Sequence, residues 1–145
     1  MKKLRITIFT ILSSVIVYAG CGHTTAPLPV LSDKFHDLQT SIFTPSCAYA
    51  GCHDQETAKS LLCLNSDSCY SQLFHHIIQE NQNSTFRFLK LITPGNVDSS
   101  FLVYKLTKAN GSADYGDRMP DRLNALPQNQ IDAIVSWIKR GAPND

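Results

Sequence analysis

The sequence predicts a small, mostly α-helical domain. Apolar residues recur at helical spacing in four separate stretches, only one short segment reads as extended, and no internal repeat or low-complexity tract interrupts the 145 residues. A chain of this length can bury a single core, yet it is small enough that a large apolar cofactor would add appreciably to its stability.

The first stretch, MKKLRITIFTILSSVIVYAGCG, places Lys2, Lys3 and Arg5 before an apolar run from Ile6 to Val17. Residues 1 to 20 therefore read as a secretory signal peptide, with an apolar run too short for a permanent membrane span. VYAGC resembles a bacterial lipoprotein cleavage box with Cys21 as the lipid-bearing residue, while Val17-Tyr18-Ala19 also fits ordinary signal peptidase cleavage. The five cysteines stand at 21, 47, 52, 63 and 69. Acylation of Cys21 leaves four, an even number that suits an oxidising compartment.

Removing the first 20 residues strips three positive charges and no acid, so ten Lys and Arg remain against twelve Asp and Glu. Nothing in this mildly acidic chain suggests nucleic acid as a partner, since it has no basic stripe with interleaved aromatics. Residues 21 to 31, CGHTTAPLPVL, read as a tether, and residues 32 to 145 as one folded domain.

Within that domain, Phe35, Leu38 and Ile42 share a helical face that Pro45 is expected to stop. The second helix is read from Tyr70, Leu73, Phe74, Ile77 and Ile78, with Ser66 or Asp67 available as cap. ENQNST at 80 to 85 is a polar loop, and RFLKLITPGN an extended segment ending in a turn at Pro94 and Gly95. Asp98, Ser99 or Ser100 then caps a short helix carrying Phe101, Leu102 and Leu106, followed by an irregular loop, ANGSADYGDRMPD, over 109 to 121. The closing helix sets Ile131, Ile134, Val135 and Ile138 on one face with Trp137 at its edge, between Pro127 near the first turn and Gly141 as stop.

The chemistry-bearing stretch is SCAYAGCHDQ, residues 46 to 55. Covalent haem attachment needs two thiols within reach of the vinyl groups and a histidine beneath the iron, and a histidine directly after the second cysteine meets the latter demand. Here four residues separate Cys47 from Cys52, and small Ala48, Ala50 and Gly51 allow the extra length to loop out. A Cys47 to Cys52 disulfide, a zinc site and a chance juxtaposition are the competing readings. Six-coordinate haem iron needs a second axial ligand, and beyond the signal segment the chain holds one methionine, Met119, in GDRMPD. Pro120 biases Met119 away from helix, so its thioether is expected to project from an extended loop, against the alternative of a core-filling methionine.

The remaining candidates have plainer readings. His75 and His76 lie at the polar edge of the second helix, surface residues by default and a substitute distal ligand as the alternative. His36 and His23 need no special role. Arg118 is a candidate for a haem propionate or a solvated loop residue. Asn83 and Asn110 match a glycosylation pattern that the lipoprotein-type leader makes coincidental.

Taken in order, SIFTPSCAYAGCH, PGNVDSSFLVYKL, GDRMP and IDAIVSWIKRGAPND resemble the cytochrome c domains of bacterial exported proteins, including planctomycete-type ones, many with a CxxxxCH haem site. The resemblance spans roughly residues 35 to 145. It implies a class I-like helical fold whose first and last helices pack together, and one covalent haem c held by thioethers at Cys47 and Cys52. It also implies iron ligation by His53 and Met119. The haem leaves Cys63 and Cys69 unused, and a disulfide between them is expected to staple the entrance of the Tyr70 helix.

The functional expectation is an exported one-electron carrier, tethered through Cys21 to a membrane and facing the periplasm or cell surface, that docks transiently on redox partner proteins. A peroxidase-like haem enzyme and a haem-free, disulfide-held interaction module are the alternatives.

Overall fold

Phe35, Leu38 and Ile42 are all buried, and the chain around them is continuously helical. It passes from α1 (Phe35–Leu38) through a π-helical turn (Gln39–Phe43) into α2 (Thr44–Ser46). Pro45 does not stop this helix as expected. In the π turn the Thr44 N–H donates to the Gln39 carbonyl, widening the ladder immediately before the proline ring, whose bulk and missing N–H an ordinary α turn would tolerate poorly. The helix ends instead at Cys47, where φ is −122°. The computed structural model describes residues 28–65, 68–76, 78, 90–108, 116–121 and 123–145.

Helix α3 (Cys69–His75) is shorter than its sequence pattern. His76 turns extended, with ψ of 127°, so Ile78, expected on the helix face, leaves it and is drawn to the wall of a cavity. Tertiary packing has overridden the local pattern here. The face that remains is aromatic. Tyr70 meets Phe35 edge-on at 4.9 Å and Phe74 at a tilt at 4.8 Å, and Phe35 and Phe74 flank Trp137 at 5.5 and 6.3 Å between ring centroids.

Leu91 and Ile92 are buried without forming a strand; no strand occurs among the described residues. Their segment instead receives the start of α4 (Phe101–Thr107), because the N–H groups of Phe101 and Leu102 donate to the carbonyls of Lys90 and Leu91. Ser100 stands at the cap position but does not cap the helix. Its hydroxyl, fully buried, accepts from the Thr93 N–H at 2.9 Å and donates to the Asn96 carbonyl at 2.8 Å, tying the preceding turn. Phe101, Leu102 and Leu106 face inward as expected.

Helix α5 (Gln128–Lys139) closes the core. Ile131, Ile134 and Ile138 are buried, but Trp137, placed at the edge by its spacing, sits at the centre with no exposed surface. Its indole N–H donates to the Pro143 carbonyl at 2.8 Å, which is possible because Gly141, at φ +94°, folds the following chain back over the helix end. Val135 is half-exposed.

A polar clamp fastens α1 to α5. The N–H groups of Phe35 and His36 donate to the Asp145 carboxylate and carbonyl, and Arg140 joins Asp145 to Asp33 at 3.1 Å each. Ser136 donates to Asp33 at 2.6 Å. The described chain is thus mostly helical, with its first and last helices packed together. No helix among the described residues is long and apolar enough to cross a membrane. The signal segment, Cys21, His23, Ser66, Asp67, Ile77, Asn83 and Asn110 lie outside the described residues.

The Ser136 hydrogen bond, with Arg140 beside it, holds the Asp33 carboxyl below the usual carboxylate range. A carboxyl whose folded value is depressed contributes stability in full above its unfolded value of about 3.9 and loses it as pH falls through the folded value. Asp33→Asn is therefore expected to lower the melting temperature at pH 7. The gap to wild type should narrow as pH falls from about 4 and vanish once the folded-state value is passed, as read by far-UV circular dichroism; a gap that does not narrow on acidification contradicts the clamp.

Candidate functional site

The turn after α2 is built from backbone bonds that bend the motif into a hook. The His53 N–H donates to the Cys47 carbonyl at 3.1 Å, and the Cys52 N–H donates to Tyr49 at 3.1 Å. Gly51 at φ +87° makes the reversal. Asp54 braces it from below, its two carboxylate oxygens accepting from the N–H groups of Gly51 at 3.2 Å and Thr57 at 2.6 Å. Those bonds hold the Asp54 carboxyl below its ordinary value. Tyr49 and Ala50 are exposed at the turn, and Tyr49 still borders the cavity beside Cys47 and Cys52.

The chain then doubles back. Leu64 N–H donates to the His53 carbonyl at 2.7 Å, and the His53 Nδ1 lies 3.0 Å from the Leu62 carbonyl. A carbonyl can only accept, so this contact puts the ring proton on Nδ1 and the lone pair on Nε2. That is the tautomer an iron-ligating histidine requires, and fixing a ligand's second nitrogen is the commonest way proteins orient it.

Cys47, Cys52, His53 and Met119 line one cavity of about 280 Å³. Its wall is apolar, made by Leu62, Leu64, Leu91, Phe101, Leu102 and Leu106, contributed by the return segment, the 90s segment and α4. Met119 arrives from the loop at 116–121, where its N–H donates to the Lys105 carbonyl of α4. It is half-buried and packs against the core from the cavity side. The expected projection from a non-helical loop is therefore what the structure has, although the side chain also contributes to packing.

Burial and the neighbouring Cys52 push the Cys47 thiol up to about 12. The Tyr49 phenol is also raised, chiefly by its hydrogen bond with Cys52. Cys63 and Cys69 are thiols in this structure. The Cys63 Sγ is turned toward Asn65 Oδ1 and Ser68 Oγ, at 3.2 Å each, while Cys69 is sealed within the core at the start of α3. Burial pushes the Cys69 thiol up as well.

Of the other sequence candidates, His76 lines the cavity, whereas His75 is exposed and contacts the Ser71 carbonyl at 2.9 Å. Arg118 is not among the cavity-lining residues; among the described residues Lys59 and Lys105 are the Lys and Arg side chains that are. Sequence reasoning missed both lysines, and missed the Leu62 carbonyl, because nothing in residue type marks which carbonyl a histidine will meet. Among the described residues no three His, Cys, Asp or Glu side chains converge as metal ligands would, so the donors for a protein-ligated zinc ion are not assembled there. The residues present do fit a haem: paired thiols, an imidazole of defined tautomer, a thioether and an apolar wall meet in one cavity.

A thiol that titrates near 12 is almost wholly protonated in neutral solution and reacts slowly with alkylating agents. In the haem-free chain Cys47 is expected to resist iodoacetamide at pH 8 and to be labelled progressively as the pH rises, as read by peptide mass. Rapid labelling of Cys47 at pH 8 would show that the thiol is not buried against the cavity wall.

No family model, no curated protein and no solved structure matches this chain, and its function is argued from the geometry of the cavity.

Proposed function

We propose that this chain is a monohaem c-type cytochrome with a class I-like fold, a one-electron carrier exported behind a signal peptide at 1–20 and tethered through a lipid on Cys21. The observation that carries the reading is the convergence of Cys47, Cys52, His53 and Met119 on a single apolar cavity, although Met119 is distant from the other three in sequence. Redox partner proteins at the periplasmic face or cell surface are the proposed partners, docking weakly so that each encounter ends quickly.

Cys47 and Cys52 would hold one haem covalently, and His53 and Met119 would ligate its iron. A haem so ligated supplies one-electron chemistry, with a thioether ligand favouring a higher potential than two imidazoles would. The chain's own residues do the rest. The Leu62 carbonyl keeps the proton on His53 Nδ1 and so fixes the ring's orientation. Leu91, Phe101, Leu102 and Leu106 exclude water from the interior wall, and the Lys105 carbonyl holds Met119 against α4. Ligation of the iron by both His53 and Met119 would leave no coordination position for peroxide, which favours the carrier over a peroxidase-like enzyme.

The test is the absorption spectrum of protein matured in a host able to attach haem. A low-spin ferric spectrum with a thioether-to-iron charge-transfer band is expected. In Met119→Ala the haem should stay attached, the band should vanish, the potential should fall and the iron should bind cyanide and carbon monoxide. Unchanged ligand binding would remove Met119 from the site, and a high-spin wild-type spectrum with peroxide activity would favour the enzyme.

A further inference from the structure

Between the hook and the return segment, the backbone takes an unusual path. Ala58, Ser60 and Leu61 all lie in the left-handed region, at φ of 40°, 58° and 60°. Non-glycine residues rarely adopt this conformation, and three within four positions persist only where the surroundings over-determine them. The surroundings here are specific. The Ala58 N–H donates to the Asp54 carbonyl at 3.0 Å, the Lys59 N–H to the Cys52 carbonyl at 2.8 Å, and the Leu62 N–H to the Lys59 carbonyl at 3.2 Å. Lys59 is thus fastened by its backbone to the second cysteine of the hook.

Its side chain reaches the other way. Lys59 Nζ lies 3.6 Å from Asp121 Oδ2, and Asp121 follows Met119 by two positions in the loop at 116–121. Both residues line the mouth of the cavity. The ion pair therefore joins the two loops that carry the candidate axial ligands, and does so across the opening. The Met119 N–H is held by the Lys105 carbonyl, so the 116–121 segment is held by two separate contacts. Leu61, next in the strained stretch, is 71% exposed and borders the same cavity.

We propose that Lys59 and Asp121 form a latch across the cavity mouth and act as a positioning pair for the Met119 thioether. The latch holds the 116–121 segment against the hook, and the left-handed backbone at 58–61 is what aims Lys59 at it. That Met119 is the group being placed rests on the cytochrome reading; that the segment is latched does not. Because 51% of the Lys59 and 28% of the Asp121 side-chain surface remains exposed, the pair has the modest strength of a partly solvated contact and is screened by salt.

Hydrogen exchange in the full chain, read by mass spectrometry on the peptide spanning 116–121, tests the latch with or without porphyrin. Lys59→Gln and Asp121→Asn should each speed exchange there by roughly two- to five-fold, and the exchanged pair Lys59→Asp with Asp121→Lys should restore it. Unchanged exchange in both single variants overturns the latch. In haem-loaded protein the same single variants should raise the cyanide association rate by a similar factor, as should high salt in the wild type, with the charge-swapped pair returning to the wild-type rate. Faster exchange with cyanide binding unchanged overturns the placement of Met119. A chain that takes up no porphyrin overturns the cytochrome reading instead, and the exchange comparison still decides the latch.

Discussion

The hydrogen bond from the His53 N–H to the Cys47 carbonyl, 3.1 Å long, is the constraint on which the site depends. It closes seven residues into a hook whose inner edge carries two sulfurs and an imidazole. Without that closure, four residues between the cysteines would leave their side chains free to diverge. With it, the extra length is taken up in an exposed turn at Tyr49 and Ala50, and Cys47, Tyr49 and Cys52 border one cavity. The second closure, His53 Nδ1 to the Leu62 carbonyl, is available only because the hook sends the chain back across itself.

The hook is positioned by the core rather than beside it. Phe43, buried one turn before Cys47, lends its carbonyl to the Cys47 N–H, so the helix that stacks Phe35 on Trp137 also sets the first cysteine. Leu102 and Leu106 of α4 are buried in the same core and form part of the cavity wall, while the Lys105 carbonyl between them carries Met119. Fold stability and site geometry therefore share residues. A core substitution at Leu102 or Leu106 is a change to the cavity as well.

Much of this was legible because it depends on residue type and spacing. The apolar spacing located α1, α3, α4 and α5, and the order Cys47, Cys52, His53, then Met119 before Pro120, identified the four side chains that share the cavity. What was not legible depends on where backbone groups meet. Pro45 reads as a helix stop, and only the π turn before it lets the helix continue. Ile78 continues a helical pattern but leaves it for the cavity wall, and Trp137 moves from edge to centre because the chain after Gly141 folds back over it. The Cys63 and Cys69 pair reads as a disulfide from its spacing, whereas the contacts of the Cys63 sulfur with Asn65 and Ser68 carry no signal in residue type. Lys59 is the clearest case, since the left-handed backbone that aims it at Asp121 occurs at alanine, serine and leucine, residue types that give no warning of it.

The central claim is a covalent porphyrin on the hook, and the intact mass of denatured chain from a haem-attaching host tests it most directly. The account predicts an increment of one haem that survives denaturation and maps to the peptide containing Cys47, Cys52 and His53. A colourless chain of unmodified mass at those cysteines, or one in which they are joined only to each other, would contradict it.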